Sequence, residues 1–229
     1  MKRSEINRIM RQGRDFLNRM NFHLPPFAAW TPTQWRRKGP QCRQIVEQQL
    51  GWDITDFGGG DFARKGLLLF TLRNGTTADA ETGDKTYAEK IMIVREEQVT
   101  PTHFHHRKME DIINRGGGQL VIRLWNATKT GQLAKTAVRV SVDGVVLAVP
   151  AGGTVTLRPG ESVCLPPRLY HRFWGKEGRG TVLVGEVSRV NDDHTDNRFH
   201  EPVGRFPEIE EDVPPLHLLV GDYPRYYRL

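Results

Sequence analysis

Pro101-Thr-His-Phe-His-His-Arg-Lys-Met-Glu110, followed further along by Pro166-Pro-Arg-Leu-Tyr-His171, gathers the residue types that hold metal ions. His103 and His105 are two apart, so on a strand both imidazoles project from one face. Glu110 follows within a turn's reach, and His171 closes a second β-type segment. Three histidines and one carboxylate in this order suit one divalent transition metal with open coordination positions. Mn, Zn, Fe, Co and Ni all accept such a donor set more readily than Ca does. Four of the chain's eight histidines lie at 103, 105, 106 and 171, which argues against scattered surface imidazoles. His106 has the opposite parity and is expected to face away, as a structural residue.

A metal of this kind serves proton-transfer chemistry when a base stands beside it. Lys108 lies between His105 and Glu110 and so belongs near the same cavity, unless it is a solvent-facing loop lysine. Beside a cation its pKa would fall, which suits proton shuttling or oxyanion stabilisation. Glu186 sits in Val182-Leu-Val-Gly-Glu-Val-Ser-Arg, and its parity with Val182 and Val184 points it inward rather than to water. Lys90 interrupts the apolar run Ile91-Met-Ile-Val in the same manner.

The elements that position these groups read as mainly β. Strands are expected at 67–72, 90–95, 98–105, 119–127, 138–142, 145–149, 154–157, 162–165, 170–174 and 181–190. Asp143-Gly144 between two apolar runs signals a two-residue hairpin. Many short strands at this spacing favour a double-sheet jelly roll or barrel. Ahead of them, Ser4 reads as a helix cap, and Ile6, Ile9, Met10, Phe16, Leu17 and Met20 recur at helical spacing, with Gly13 a weak point. A second helix is expected over 40–50, with Pro40 in its first turn. Three segments result: a helical extension at 1–57 packed on the barrel, the barrel at 58–198, and a tail at 199–229 wrapping the barrel or a partner subunit.

Composition narrows the function classes. The net charge is +6, but Lys and Arg are interleaved with 27 acidic residues and form no basic run, so nucleic-acid binding is not expected. No apolar run approaches the roughly 20 residues of a membrane span, and no membrane partner is expected. The first residues lack the apolar core of a signal peptide. Cys42 and Cys164 form no disulfide framework or CxxC pair. Reduced thiols in a cytoplasmic protein are the expectation. Gly58-Gly59-Gly60 and Gly116-Gly117-Gly118 lack the residues of a phosphate cradle, which speaks against a nucleotide-type organic cofactor.

His103-x-His105-x4-Glu110-x6-Gly117 resembles the first cupin motif, and Pro166-x-Arg168-x2-His171 resembles the second. Arg168 and Glu97 stand where the pattern carries glycine, departures that bear on local turns rather than on the ligands. Tyr87-Ala-Glu-Lys-Ile-Met-Ile, the string from Thr102 to Gly118, and Gly185-Glu-Val-Ser-Arg-Val-Asn-Asp-Asp are similar to the D-lyxose isomerases. Those are metal-dependent cupin ketol-isomerases interconverting D-lyxose with D-xylulose, and often D-mannose with D-fructose. The resemblance implies a cupin double-stranded β-helix with N-terminal helices, a monosaccharide substrate and a homodimer. It also implies one Mn per subunit on His103, His105, Glu110 and His171. For that reaction Glu186, with its inward parity, is assigned as the base that relays the proton between the carbons, with Lys108 the second catalytic candidate. A metal-assisted hydride shift is the alternative mechanism. Lys90, Asp192 and Asp193 are candidates for the sugar hydroxyls, although Asn191-Asp192-Asp193 also reads as ordinary turn chemistry. Two other readings stand beside this one: an Fe(II) dioxygenase with an apolar cavity, and a non-catalytic sugar-binding module.

Overall fold

The computed structural model describes residues 1–76 and 85–227. Three helices come first: α1 (Arg3–Arg19), α2 (Pro32–Trp35) and α3 (Arg43–Glu47). The strands are β1 (Gly51–Thr55), β2 (Leu67–Arg73), β3 (Tyr87–Val94), β4 (Thr100–His105), β5 (Glu110–Gly117), β6 (Leu120–Asn126) and β7 (Val138–Val142). They continue with β8 (Val145–Val149), β9 (Thr154–Leu157), β10 (Ser162–Leu165), β11 (Leu169–Gly175), β12 (Val182–Arg189) and β13 (Asn197–Phe199), before a last helical turn, α4 (Tyr223–Tyr226). Eight strands form one sheet in the order β1-β2-β3-β12-β5-β10-β7-β8, and five form the other, β13-β4-β11-β6-β9. All the strand pairs are antiparallel. This is the cupin double-sheet barrel that the strand spacing and the histidine motifs imply.

Alternation decides which side chains meet between the sheets. Leu67, Leu69, Met92, Val94, Ile112, Val182 and Val184 pack inward against Leu120, Ile122, Leu124 and Phe173 of the opposite sheet. Leu68, Phe70, Ile91, Ile93 and Leu183 point the other way, where Ile6, Ile9, Met10 and Leu17 of α1 cover them. The first part of strand β2 is thus buried on both faces, which is why residues 67–70 form a continuous apolar run rather than an alternating one. At Gly13 α1 lies tight against β2: a Cβ there would lie 2.5 Å from Leu68 Cδ2. What reads in isolation as a weak point in the helix is the contact that lets it dock.

Other local expectations are corrected. Ser4 lies inside α1 rather than capping it. Its backbone N–H donates to Asp212 at 2.9 Å and its hydroxyl to the same carboxylate, so the cap comes from the C-terminal tail. The tail is further tied down by Arg3, whose buried guanidinium donates to Glu211 at 2.8 and 2.9 Å and to Asp222 at 2.7 and 3.0 Å. The segment expected to be helical over 40–50 holds a 3-10 turn (Pro40–Cys42) and α3, and stops at Gln49, whose φ of 52° leaves the helical region. Strands β1, β5 and β13 are additions to the expected set. Strand β1 is buried throughout, so it shows no alternation. Strand β5 carries Glu110 and Asn114 on its inward face, where a core strand would show apolar residues. Asp143 and Gly144 have φ of 49° and 84°, the paired left-handed conformation of a two-residue hairpin turn between β7 and β8.

Candidate active site

The three histidines come from two neighbouring strands of the five-stranded sheet. His103 and His105 share the inward face of β4, and His171 on β11 lies directly opposite His103 in the register. Each offers a ring nitrogen, and these atoms lie within 4.8 Å of one another. His103 Nδ1 donates to the Pro101 carbonyl at 2.7 Å and His171 Nδ1 to the Leu169 carbonyl at 3.1 Å. Those bonds fix the tautomer and leave Nε2 as a bare lone pair facing the cavity. His106 is exposed on the opposite face, as its parity requires.

Glu110, the first residue of β5, reaches in from the other sheet. Its Oε1 stands 3.2 Å from His171 Nε2 and 3.4 Å from His105 Nε2. Burial holds the His103 imidazole well below its ordinary pKa and pushes His171 down to about 4, so these rings are neutral near pH 7. Burial alone would raise Glu110, but the Lys108 ammonium outweighs it and holds the carboxyl well below its usual range. A neutral Nε2 lone pair therefore faces a carboxylate oxygen at hydrogen-bond distance with no proton between them. Two acceptors so placed repel unless a cation joins them. Neutral imidazoles and an ionised carboxylate are also the protonation states that bind a divalent metal. The donor set fits one.

From Glu110 a line of alternating charge runs across the eight-stranded sheet. Lys108 Nζ is 2.8 Å from Glu110 Oε2 and 2.7 Å from Glu186 Oε1. Lys90, opposite Glu186 in the β3–β12 register, brings its Nζ to 3.5 Å from Glu186 and 4.0 Å from Asp193. Asp193 in turn meets Arg205 Nη2 at 2.8 Å, and that nitrogen also reaches Asp53 on β1 at 2.6 Å. Asn191 Oδ1 accepts from Lys90 at 2.6 Å and from Lys108 at 3.2 Å. Burial would raise the Glu186 carboxyl, but Lys108 and Lys90 bring it below its ordinary value, so it is ionised and able to accept a proton. Burial would lower Lys108, but Glu110, Glu186 and Asp193 outweigh burial, so the protein's own groups favour the charged ammonium. Lys108 is thus a fixed cationic donor. The Asp196 carboxylate sets its position by accepting the Arg107 and Lys108 backbone N–H groups at 2.9 and 3.0 Å.

One cavity therefore gathers His103, His105, Glu110, His171, Lys108, Glu186, Lys90 and Asp193. Asp192 is not among its lining residues. Its carboxylate accepts from the backbone N–H of His194 at 3.0 Å, from that of Thr195 at 3.1 Å and from the Thr195 hydroxyl, the turn role that competed with sugar binding in the sequence. Sequence reasoning passed over Thr100, Asn197 and Arg205, which line the same cavity. Arg205 lies in a tail without periodicity, and only the positions of Asp53 and Asp193 reveal its use. The two residues that replace motif glycines keep a glycine-like backbone: Glu97 has φ of 55° and Arg168 of 64°. Arg168 is held there by its N–H on the His105 carbonyl at 2.8 Å and by its guanidinium on the Thr128 carbonyl at 2.9 Å.

The chain is similar to known proteins over most of its length. The family model of the D-lyxose isomerases matches residues 1–223. A D-lyxose/D-mannose isomerase of Serratia proteamaculans is 54% identical over 227 residues, covering 99% of both chains. A D-lyxose/D-mannose isomerase of Escherichia coli O157:H7 is 50% identical, covering 99% of this chain and all of its own length (100%). Among solved structures, the L-ribose isomerase of Acinetobacter sp. DL28 in complex with L-ribose superposes with a TM-score of 0.60 at 15% identity, over 92% of this chain and 98% of that one. At that identity the likeness speaks to the fold alone.

Proposed function

This chain belongs to the D-lyxose isomerase family and is a sugar isomerase, and we propose that it interconverts D-lyxose with D-xylulose and D-mannose with D-fructose by proton transfer between C1 and C2. One observation carries the mechanism. Glu186 and Glu110 share the Lys108 ammonium at 2.7 and 2.8 Å, so an ionised carboxylate stands one cation away from the histidine cluster. Glu186 takes the C2 proton of the open-chain aldose. The released electron pair forms the C1–C2 double bond of an enediol, while the C1 oxygen gains a proton or negative charge. Lys108 donates toward that oxygen. Glu186 then returns its proton to C1 as the C2 hydroxyl gives up its own, so that the proton lost from O2 balances the one gained on O1 and the C2 carbonyl of the ketose forms. In this reading Lys90 and Asp193 bind substrate hydroxyls.

A divalent metal, for which we propose Mn2+, held by His103, His105, Glu110 and His171 would supply Lewis-acid polarisation of the substrate oxygens. The reading is tested by exhaustive dialysis against a chelator. Activity is expected to vanish and to return best with Mn2+. Full turnover by protein verified to be metal-free would overturn it. We also propose a cytoplasmic homodimer. The unpaired thiols Cys42 and Cys164 fit a reducing compartment, and the exposed Val145, Val146 and Leu147 on edge strand β8 offer apolar surface for association. Among the described residues no helix is long and apolar enough to cross a membrane.

A further inference from the structure

We infer that Arg205 and Asn197, both anchored on Asp193, form a donor–acceptor pair that reads the terminal hydroxyl of the sugar. The inference rests on the isomerase reading above and extends it to the end of the substrate away from the reacting carbons. Strands β1 and β13 are the end strands of the two sheets. Asp53 stands on the first and Asn197 on the second, opposite His105 in the register. The line of charge from Glu110 through Glu186 and Lys90 ends at this edge, on Asp193 and Arg205. A sugar lying along this line, with C1 and C2 at its Glu110–Glu186 end, brings its other end to Asp193, the residue on which Arg205 and the Asn197 amide are both anchored.

The two side chains are each half committed. Arg205 gives Nη2 to both Asp53 and Asp193, while its Nη1 is buried with no partner. Asn197 donates Nδ2 to the Asp193 carbonyl at 3.4 Å and to its carboxylate at 3.2 Å. Both of those partners only accept, so the amide orientation is fixed and Oδ1 is the atom left over, buried and without a partner. Both residues line the cavity. A buried polar group without a partner is costly, and these two differ in kind: one donates, the other accepts. A hydroxyl does both and satisfies the pair. A phosphate dianion only accepts, so it would meet Asn197 Oδ1 and the Asp193 carboxylate with repulsion. The pair selects a free sugar alcohol terminus.

The test compares kcat/KM for D-lyxose with 5-deoxy-D-lyxose, and for D-mannose with 6-deoxy-D-mannose and D-mannose 6-phosphate. In the native enzyme, loss of the terminal hydroxyl is expected to lower kcat/KM by about tenfold or more, since it leaves both buried groups unpaired. The phosphate is expected to fall further. In Arg205→Lys and Asn197→Ala the parent sugars should fall toward their deoxy analogues, bringing the ratio within about threefold. A native ratio near one, or a phosphate turned over as well as its parent, would overturn the inference. So would an unchanged ratio in Asn197→Ala, which stands alone if Arg205→Lys does not fold. If the native enzyme isomerises no aldose, it is the isomerase reading that falls, and calorimetric binding of the same sugars then gives the ratio that decides the pair.

Discussion

Glu186→Gln separates a catalytic carboxylate from a merely buried one. The substitution keeps the side chain's size and one carbonyl oxygen able to accept from Lys108, now at 2.7 Å from Glu186 Oε1. Its effect on the fold follows from the charges around it. Glu110, Glu186, Asp193 and Asp53 supply four negative charges against the three positive charges of Lys108, Lys90 and Arg205. The change leaves three of each, so no protein charge is stranded in excess. Lys108 keeps Glu110, and Lys90 keeps Asn191 and Asp193. The variant is expected to fold and retain its metal. Catalysis is another matter, because a neutral amide cannot take the C2 proton. General-base removal costs about 10²–10⁴-fold, or about 2.7–5.5 kcal/mol of barrier at roughly 1.4 kcal/mol per decade. Steady-state kinetics on D-lyxose should show that loss in kcat with nearly constant KM, the signature of an interaction made in the transition state. Turnover in D2O supplies the companion reading, with solvent deuterium expected at C1 of the ketose. Near-native kcat in a folded, metal-loaded variant would refute the assignment, and full retention of substrate hydrogen alongside it would replace proton transfer by a hydride shift.

Three further outcomes are expected. His103→Ala and His171→Ala each remove a donor from the cluster, so both should purify with reduced metal content by elemental analysis; full occupancy in both would show the ligands to be misassigned. Glu97→Gly relieves a left-handed backbone at φ 55° on an exposed turn, worth about 1 kcal/mol, and should raise Tm by about 2–4 °C in scanning calorimetry for a chain of this size. Arg3→Ala strands Asp222 and Glu211, and its cost of about 3–5 kcal/mol should appear as a lower denaturation midpoint. The hydrogen bond from Arg3 holds the Glu211 carboxyl below its ordinary value of 4.5, so its stabilisation is present above that pH and is lost as the pH falls through the lower, folded value. The native protein should therefore weaken in acid below about pH 4.5 by more than Arg3→Ala does.

The parts of this molecule legible in the sequence are those where a side chain's direction follows from the period of its own strand. His103 and His105 share a face because they are two apart, and Glu186 points inward with Val182 and Val184 for the same reason. The sheets bore that geometry out. Strands β7 to β10 match their expected limits because turns bound each of them. Long-range electrostatics was not legible. The charged state of Lys108 depends on Glu186, 78 residues away, and the use of Arg205 depends on Asp53, 152 residues away. Asp192 and Asp193 are adjacent and alike in type, yet one closes a turn and the other faces the cavity. Strand β5 escaped notice because the polar residues that make it functional erase the apolar alternation that would mark it as a strand.

On the reading proposed above, this site isomerises free aldoses of the lyxose and mannose configuration. The most direct measurement is ketose formation by the Mn2+-loaded protein from D-lyxose, D-mannose and D-xylose under identical conditions. Because the base acts on one orientation of the C2 hydrogen, D-lyxose and D-mannose are expected to be converted, with D-lyxose preferred over its C2 epimer D-xylose by about tenfold or more. Equal turnover of D-lyxose and D-xylose, or no ketose from any of the three at verified metal occupancy, would contradict the account.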